Sequence, residues 1–492
     1  MNSGAGATRR QAIALGVAFG AGLTGCRGDD GAASPSTTPA PGHQAGQPDD
    51  GAATTATSTS PATSQRPTVS GTVVVNLGAR RQTIDGFGFS TRVWTDPHLS
   101  DAPETVVPDA ARSAILELLI SDLGITRIRP NIDAGMERSN DDDDPNLIRA
   151  DGFDFAGKRT DEHIELVTLA RDLGLTTWFP AMLQPEPWMT EHTPSEFVER
   201  LVVQLERWRA AGCTPALVSP MNEPTMPMSG GYAPEWLTAV VSELGPRLDA
   251  AGLPTKVLVP DDVDPSSALV RATSVLDDPT AGRYVGALGF HLYGGESVDR
   301  LALADFARAH DLPLWMTEYS RAEWDSWPAV LDWASIIDEL FTEDDVRAVD
   351  YMWGFFGEQQ LGHMLVSIDF ENGMYRSHRP TAAYWVTGQW SRWVRPGAVR
   401  VDTTVHEGLP RVSAFVDPDG GTLVAVAVNR DDVPRRMSLR IEGGATADKV
   451  RVVRSSVAEQ WAEAPTLQVR EGAIDADLPA ASVTTFLVSL AS

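Results

Sequence analysis

Two short stretches carry the residue types best suited to covalent chemistry. Ser219-Pro220-Met221-Asn222-Glu223-Pro224 and Trp315-Met316-Thr317-Glu318-Tyr319 each bring an apolar, strand-like run to a close on a glutamate. Two carboxyl groups can divide one reaction between a proton donor and a nucleophile when their surroundings hold them in different protonation states. A pair roughly 5–5.5 Å apart suits double displacement at a sugar carbon with retention, whereas a wider gap leaves room for water and inversion. Separation along the chain does not measure that gap. A lone strand-end glutamate is more often a salt-bridge partner; two of them, one preceded by asparagine, turn the balance towards chemistry.

Further candidates sit at comparable positions. His291 and Tyr293 end another run, where a phenol can orient Glu318 by hydrogen bond; the plainer reading is a core histidine and a wall tyrosine. Arg129 lies at the end of the strand expected within 125–131 and can hold a carboxylate with two donors, although alternation along a strand makes Arg127 an equal candidate. Trp188 and Trp353 follow two other runs, and each indole face can floor a sugar subsite or pack in a core. Trp324 and Trp327 lie beyond Glu318 and are weaker, and Glu186 and Glu323 are placed in loops past strand ends.

Several chemistries find no support. The nine histidines show no metal-ligand spacing, so no metal is expected. No cofactor is expected either, since Asp85-Gly86-Phe87-Gly88 lacks the third glycine and helix start of a dinucleotide loop. The run Asp141 to Asp144 lacks the spaced ligands and glycine of a calcium loop and reads as a solvated turn. Cys26 and Cys213 lie too far apart for a disulfide framework, and Cys213 reads as a small buried hydrophobe. Against 40 basic residues stand 67 acidic ones, a net charge of -27, which disfavours nucleic acid and anionic membrane surfaces as partners.

What must position these residues is a repeating frame. Apolar, β-branched or aromatic runs near 82–90, 125–131, 175–183, 216–222, 256–260, 285–291, 313–318 and 347–354 alternate with amphipathic stretches. Thr193-Pro194-Ser195-Glu196 has the form of a helix start, and Gly124, Gly174 and Gly212 mark helix ends. Eight strands, each followed by a helix, predict an α/β fold: a (β/α)₈ TIM barrel over 81–396, with its active site at the strand C-termini. Residues 397–492 alternate in short runs separated by turns such as Asp417-Pro418-Asp419-Gly420-Gly421, which predicts a C-terminal β-sandwich side domain. A strand over 69–80 is expected to join it.

Residues 1–26 read as a targeting segment. Arg9 and Arg10 precede a short apolar run that ends in Leu23-Thr24-Gly25-Cys26, which resembles a bacterial lipobox with Cys26 as the lipidated residue; a plain cleaved signal is the alternative. Residues 27–68 are Ser, Thr, Pro, Ala and Gly, a composition too poor in apolar surface to fold. They predict a tether with a reach of about 35 Å. The expectation is an exported monomer, on the cell surface or secreted, that meets a membrane only through a lipid anchor.

Set in order along the chain, the motifs carry a resemblance. Asn222-Glu223-Pro224 with Glu318 resembles the acid/base and nucleophile of the retaining (β/α)₈ glycoside hydrolases. Ile84-Asp85-Gly86-Phe87-Gly88-Phe89-Ser90, Gln184-Pro185-Glu186-Pro187-Trp188-Met189 and Gly388 to Gly397 (GQWSRWVRPG) resemble glycoside hydrolase family thirty. The resemblance covers about residues 70–492.

It implies that Glu318 is the nucleophile, that Glu223 is the acid/base, and that Asn222 meets the sugar 2-hydroxyl. Mutual repulsion and partial burial are expected to hold Glu223 protonated while Glu318 is ionised, with Glu223 turning into a base once Glu318 is esterified. The implied activity is retaining hydrolysis of a β-linked polysaccharide or oligosaccharide, xylan-type or β-1,6-linked. A glucosylceramide-like β-glucoside is the alternative substrate. A non-catalytic sugar-binding lipoprotein on the same barrel is the alternative function, disfavoured because both carboxylates are present.

Overall fold

The computed structural model describes residues 69–491 apart from 138, 140–149, 157–158, 190–192, 228, 407 and 444–445. The segments 1–26, with Cys26, and 27–68 lie outside the described residues, as does the run Asp141 to Asp144.

Eight parallel strands build one sheet. In chain order they are Gly86–Ser90, Arg127–Arg129, Thr177–Trp178, Leu217–Val218, Lys256–Asp262, Val285–His291, Leu314–Glu318 and Ala348–Tyr351. Their spatial order is three, two, one, eight, seven, six, five, four. The ends meet where Ala181 pairs with Ser219 and the Ser219 amide donates to the Pro180 carbonyl at 2.9 Å, so the sheet closes into the expected barrel. One helix follows each strand: Asp109–Leu116, Thr160–Asp172, Pro194–Ala210, Pro234–Ala250, Pro265–Asp277, Ser297–Ala309, Trp327–Thr342 and Ala382–Ser391. Among the described residues, none of the helices is long and apolar enough to cross a membrane.

Local chemistry accounts for the element ends, with one difference. Gly124, Gly174 and Gly212 follow their helices with φ of 80°, 113° and 73°, where a side chain would be strained. Thr193 occupies the cap position with Pro194 at the first helical turn, yet its hydroxyl makes no capping bond. Proline's fixed φ suits this start without that bond.

Inside the barrel, strand one leaves room for its neighbours at Gly88. Gly88 pairs with Arg127 of strand two and with Asp350 of strand eight. Those two fully buried side chains form an ion pair at 3.0 Å, and the Arg127 guanidinium lies 3.7 Å from the Trp315 ring centre. A Cβ on Gly88 would stand 2.2 Å from Asp350 Oδ1. The glycine of the Asp85-Gly86-Phe87-Gly88 motif therefore makes room for a buried ion pair.

The sandwich is a nine-stranded sheet that encloses its own core, including Val73, Val75, Leu439 and Phe486. The N-terminal strand joins it as expected but runs Val69–Thr83, longer than 69–80. It lies between Val399–Val405, antiparallel, and Arg435–Glu442, parallel. The apolar run read as 82–90 thus belongs to two sheets, and no proline or glycine marks the change before Gly86. The Gly388 to Gly397 motif is part of the joint between barrel and sandwich: Trp390 Nε1 donates to Ser413 Oγ at 3.0 Å.

The segment 354–379, beyond strand eight, contributes to a three-stranded sheet, Trp353–Gly357, Met364–Glu371 and Met374–Pro380. Its strands pair with one another and, through Met374, with Val106, so the eight-strand count gives no sign of it.

Candidate active site

Glu223 lies five residues beyond the last paired residue of strand four, and the path between is fixed by backbone bonds. Met182 donates to the Ser219 carbonyl at 3.1 Å, Asn222 donates to the Met182 carbonyl at 2.7 Å, and Glu223 donates to the Asp261 carbonyl at 2.9 Å. Glu223 and Asp261 both adopt the left-handed region, with φ of 47° and 59°, a conformation disfavoured for residues with a Cβ and common at functional sites. Glu318 ends strand seven, where pairing with strand six slips between Met316 and Glu318. Such a slip re-aims a side chain.

The two glutamates share one polar network. Glu318 Oε2 accepts from Arg129 Nη1 at 3.1 Å and its Oε1 accepts from the Tyr293 hydroxyl at 3.0 Å. Glu223 Oε1 lies 2.9 Å from His291 Nδ1. Arg129 also donates to Asn222 Oδ1 at 2.5 Å, to Ser90 Oγ at 3.2 Å and to Asp261 Oδ2 at 2.7 and 3.1 Å. Asp261 Oδ1 accepts from Thr317 Oγ1 at 2.6 Å and lies 3.4 Å from His291 Nε2. Arg129, Asp261 and His291 are buried, while the Glu223 and Glu318 side chains keep 12% and 13% exposure, so both catalytic candidates reach solvent. A carboxylate oxygen of Glu223 and one of Glu318 lie within 4.8 Å, inside the range for direct attack rather than an interposed water.

Charge is balanced within the cluster. Burial opposes the charge of Arg129, but Asp261, Glu318 and Glu223 outweigh it and raise its pKa. Burial pushes the Asp261 carboxyl up, yet Arg129, His291 and Thr317 hold it well below the usual carboxylate range. Burial likewise disfavours the His291 imidazolium, but Glu318, Asp261 and Glu223 push it up to about 10. Desolvation of its hydroxyl end, then the charges of Glu318 and Glu223, hold the Tyr293 phenol neutral well above its ordinary range. Tyr293 therefore remains a hydrogen-bond donor to Glu318 across physiological pH.

Glu223, His291 and Glu318 have the spacing of a metal triad, as do Glu137, Glu196 and Glu199. In the first set Arg129 already supplies a fixed positive charge beside Glu318.

The remaining sequence candidates take varied places. Arg127 serves the Asp350 pair, leaving Arg129 at the glutamates. Trp188 is half-buried and donates from Nε1 to the Glu137 carbonyl at 3.0 Å. Trp353 is 6% exposed and stacked on Phe356 at 4.1 Å, which covers one indole face. Trp324 and Trp327 are in the core. Glu186 is buried against Arg200 at 3.2 Å, Glu323 is exposed, and Cys213 is buried beside Thr168. Sequence reasoning missed Asp261, Thr317 and Ser90. Asp261 was within reach, because Val257-Leu258-Val259-Pro260-Asp261 brings strand five to the same rim that singled out the glutamates.

Comparison with known proteins agrees with the fold. Residues 397–486 match the family described as the glycosyl hydrolase family 30 beta sandwich domain. Glucuronoxylanase XynC of Bacillus subtilis is 28% identical over 281 residues, 55% of this chain and 60% of the relative, so the match spans less than two thirds of that protein. Endo-1,6-beta-D-glucanase of Neurospora crassa is 25% identical over 398 residues, 70% of this chain and 79% of the relative. The crystal structure of Xyn30A, a glycoside hydrolase family 30 subfamily 8 xylanase from Clostridium acetobutylicum, superposes with a TM-score of 0.68 at 21% identity. That superposition covers 85% of this chain and 99% of the other.

Proposed function

We propose that this protein is a retaining β-glycoside hydrolase of family thirty that cleaves a β-linked polysaccharide or oligosaccharide. The observation that carries this reading is the Glu223–Glu318 approach within 4.8 Å, with different partners on each carboxylate. Two donors, Arg129 and Tyr293, hold and orient the Glu318 carboxyl for attack. A Glu318 oxygen bonds to the anomeric carbon as the proton of Glu223 passes to the glycosidic oxygen and that C–O bond breaks. The leaving sugar departs as an alcohol. Glu223, now a carboxylate, takes a proton from water, whose oxygen bonds to the anomeric carbon and frees Glu318. Arg129 holds Asn222 through its Oδ1, which leaves the amide nitrogen to donate to the sugar 2-hydroxyl.

Xylan-type and β-1,6-linked glycans are the substrates we favour, in keeping with the names of the relatives. Arg376 and Arg379, the cations after strand eight, each face a carboxylate, Glu371 and Glu358 respectively. Paired cations favour a neutral glycan over one that needs its own carboxylate recognised. The test is reducing-sugar release by the full-length protein from xylan, glucuronoxylan, β-1,6-glucan and aryl β-glycosides. Glu223→Gln and Glu318→Gln should each abolish it, and unchanged hydrolysis in either variant would refute that residue's assignment.

We also propose that residues 1–26 direct export, that Cys26 carries a lipid and that 27–68 act as a tether. The composition and the Leu23-Thr24-Gly25-Cys26 ending support this. Wild-type protein should sediment with membranes and Cys26→Ala should not; equal partitioning would overturn the anchor.

A further inference from the structure

We propose that Asp261 is a positioning residue for the reaction, one buried carboxylate that fixes both catalytic glutamates through two cations; this rests on the glycosidase reading above. Asp261 is the penultimate residue of strand five and has no exposed surface, so it does not touch substrate. Its Oδ2 takes both Nε and Nη2 of Arg129, which sets the rotation of the guanidinium and points Nη1 at Glu318. Its Oδ1 holds the Thr317 hydroxyl and faces His291 Nε2, which leaves Nδ1 turned to Glu223. Its carbonyl accepts the Glu223 amide. Each glutamate is therefore one side chain removed from the same aspartate.

Removing the charge of Asp261 has two consequences that a packing residue would not produce. Arg129 would lose its stronger partner and be free to swing from Glu318, and positional errors at this scale act on turnover more than on binding. His291 would lose one of the three acidic side chains that face it. The charged or titratable groups around it are Glu223 beyond strand four, Asp261 on strand five, Tyr293 just beyond its own strand, Glu318 on strand seven and Arg129 on strand two. Without Asp261 the imidazolium proton is held less firmly and leaves at lower pH.

The experiment compares full-length wild type with Asp261→Asn. It reads kcat and KM on an aryl β-glycoside from pH 5 to 10, and the ¹⁵N-imidazole titration of His291, assigned by its absence in His291→Asn. For loss of a hydrogen-bonded charge at the site we expect kcat to fall about 100-fold with KM changed less than about 3-fold. The His291 titration and the alkaline limb of activity should both move down by about one pH unit or more. A kcat within about 3-fold of wild type, or an unmoved His291 titration, would overturn the proposal. Should Asp261→Asn fail to fold, Thr317→Val removes the hydroxyl that holds Oδ1. That variant should lower kcat about 10-fold and shift the same titration, and no change in either would overturn the proposal. Wild type inactive on every glycoside, with the His291 titration still shifted in Asp261→Asn, would refute the glycosidase reading while supporting the hold of Asp261 on His291.

Discussion

A carboxylate oxygen of Glu223 approaches one of Glu318 within 4.8 Å, although Glu223 lies beyond strand four and Glu318 ends strand seven, with strands five and six between them in the barrel wall. That gap has no room for the attacking water of an inverting mechanism. The first product released should therefore keep the β configuration. Proton NMR of the anomeric signal in the first minutes checks this, and an initial α signal would contradict direct attack by Glu318.

Tyr293 offers a narrower test. Its hydroxyl donates to Glu318 at 3.0 Å, while its ring is 37% exposed and adds little to the core. Tyr293→Phe should lower kcat about 10- to 100-fold, the ~1.5–3 kcal/mol of a hydrogen bond to a charged group. Thermal stability should stay within about 1 kcal/mol of wild type. A large loss of stability with unchanged turnover would make Tyr293 structural.

Gly88 is a test of the barrel interior. An added methyl would meet Asp350 Oδ1 at 2.2 Å and the Arg127 carbonyl at 2.9 Å. Gly88→Ala should then separate the Arg127–Asp350 pair or distort strand one, with a loss of about 3–5 kcal/mol, the range for breaking a buried ion pair. Chemical denaturation reads this directly. A loss under about 1 kcal/mol would mean that the wall yields easily.

Stability should also carry a pH signature from Asp338, buried where the helix Trp327–Thr342 meets Arg411 of the sandwich at 2.9 Å. Burial pushes its carboxyl up to about 6 against the opposing pull of Arg411. The folded protein thus holds this proton more tightly than the unfolded chain. That contribution is complete below about 4 and is lost as pH rises through about 6. His163, held by burial down to about 4, acts in the opposite sense between about 6.5 and 4. The informative quantity is therefore the difference between wild type and Asp338→Asn. Wild type should lose stability relative to the variant by ~1–3 kcal/mol between pH 4 and 8, measured by urea denaturation. A constant difference would show that Asp338 has an ordinary carboxylate pKa.

Much of the frame was legible because its signals are local. Helix ends such as Gly124, Gly174 and Gly212 are fixed by the φ that glycine alone adopts freely. Strand ends follow from where apolar runs stop, and a barrel's chemistry lies at those ends, which is why Glu223, Glu318, Arg129, His291 and Tyr293 were found together. The sheet formed by Trp353–Gly357, Met364–Glu371 and Met374–Pro380 was missed because its pairing answers to neighbours in space. Trp353, read as a sugar platform, stacks on Phe356; no spacing rule distinguishes those two uses of an indole face.

By itself the sequence determined the alternation of eight strands and helices, the β-rich tail, and the residue types at the rim. These are consequences of side-chain period, glycine and proline geometry, and apolar content, all properties of short windows. Only the tertiary structure decided which of two inward-facing arginines serves the glutamates. Arg127 and Arg129 share one face of strand two, but Asp350 from strand eight claims the first and Asp261 from strand five the second. Charge pairing in a buried interior depends on distances between strands far apart in the chain, and barrel closure sets those distances.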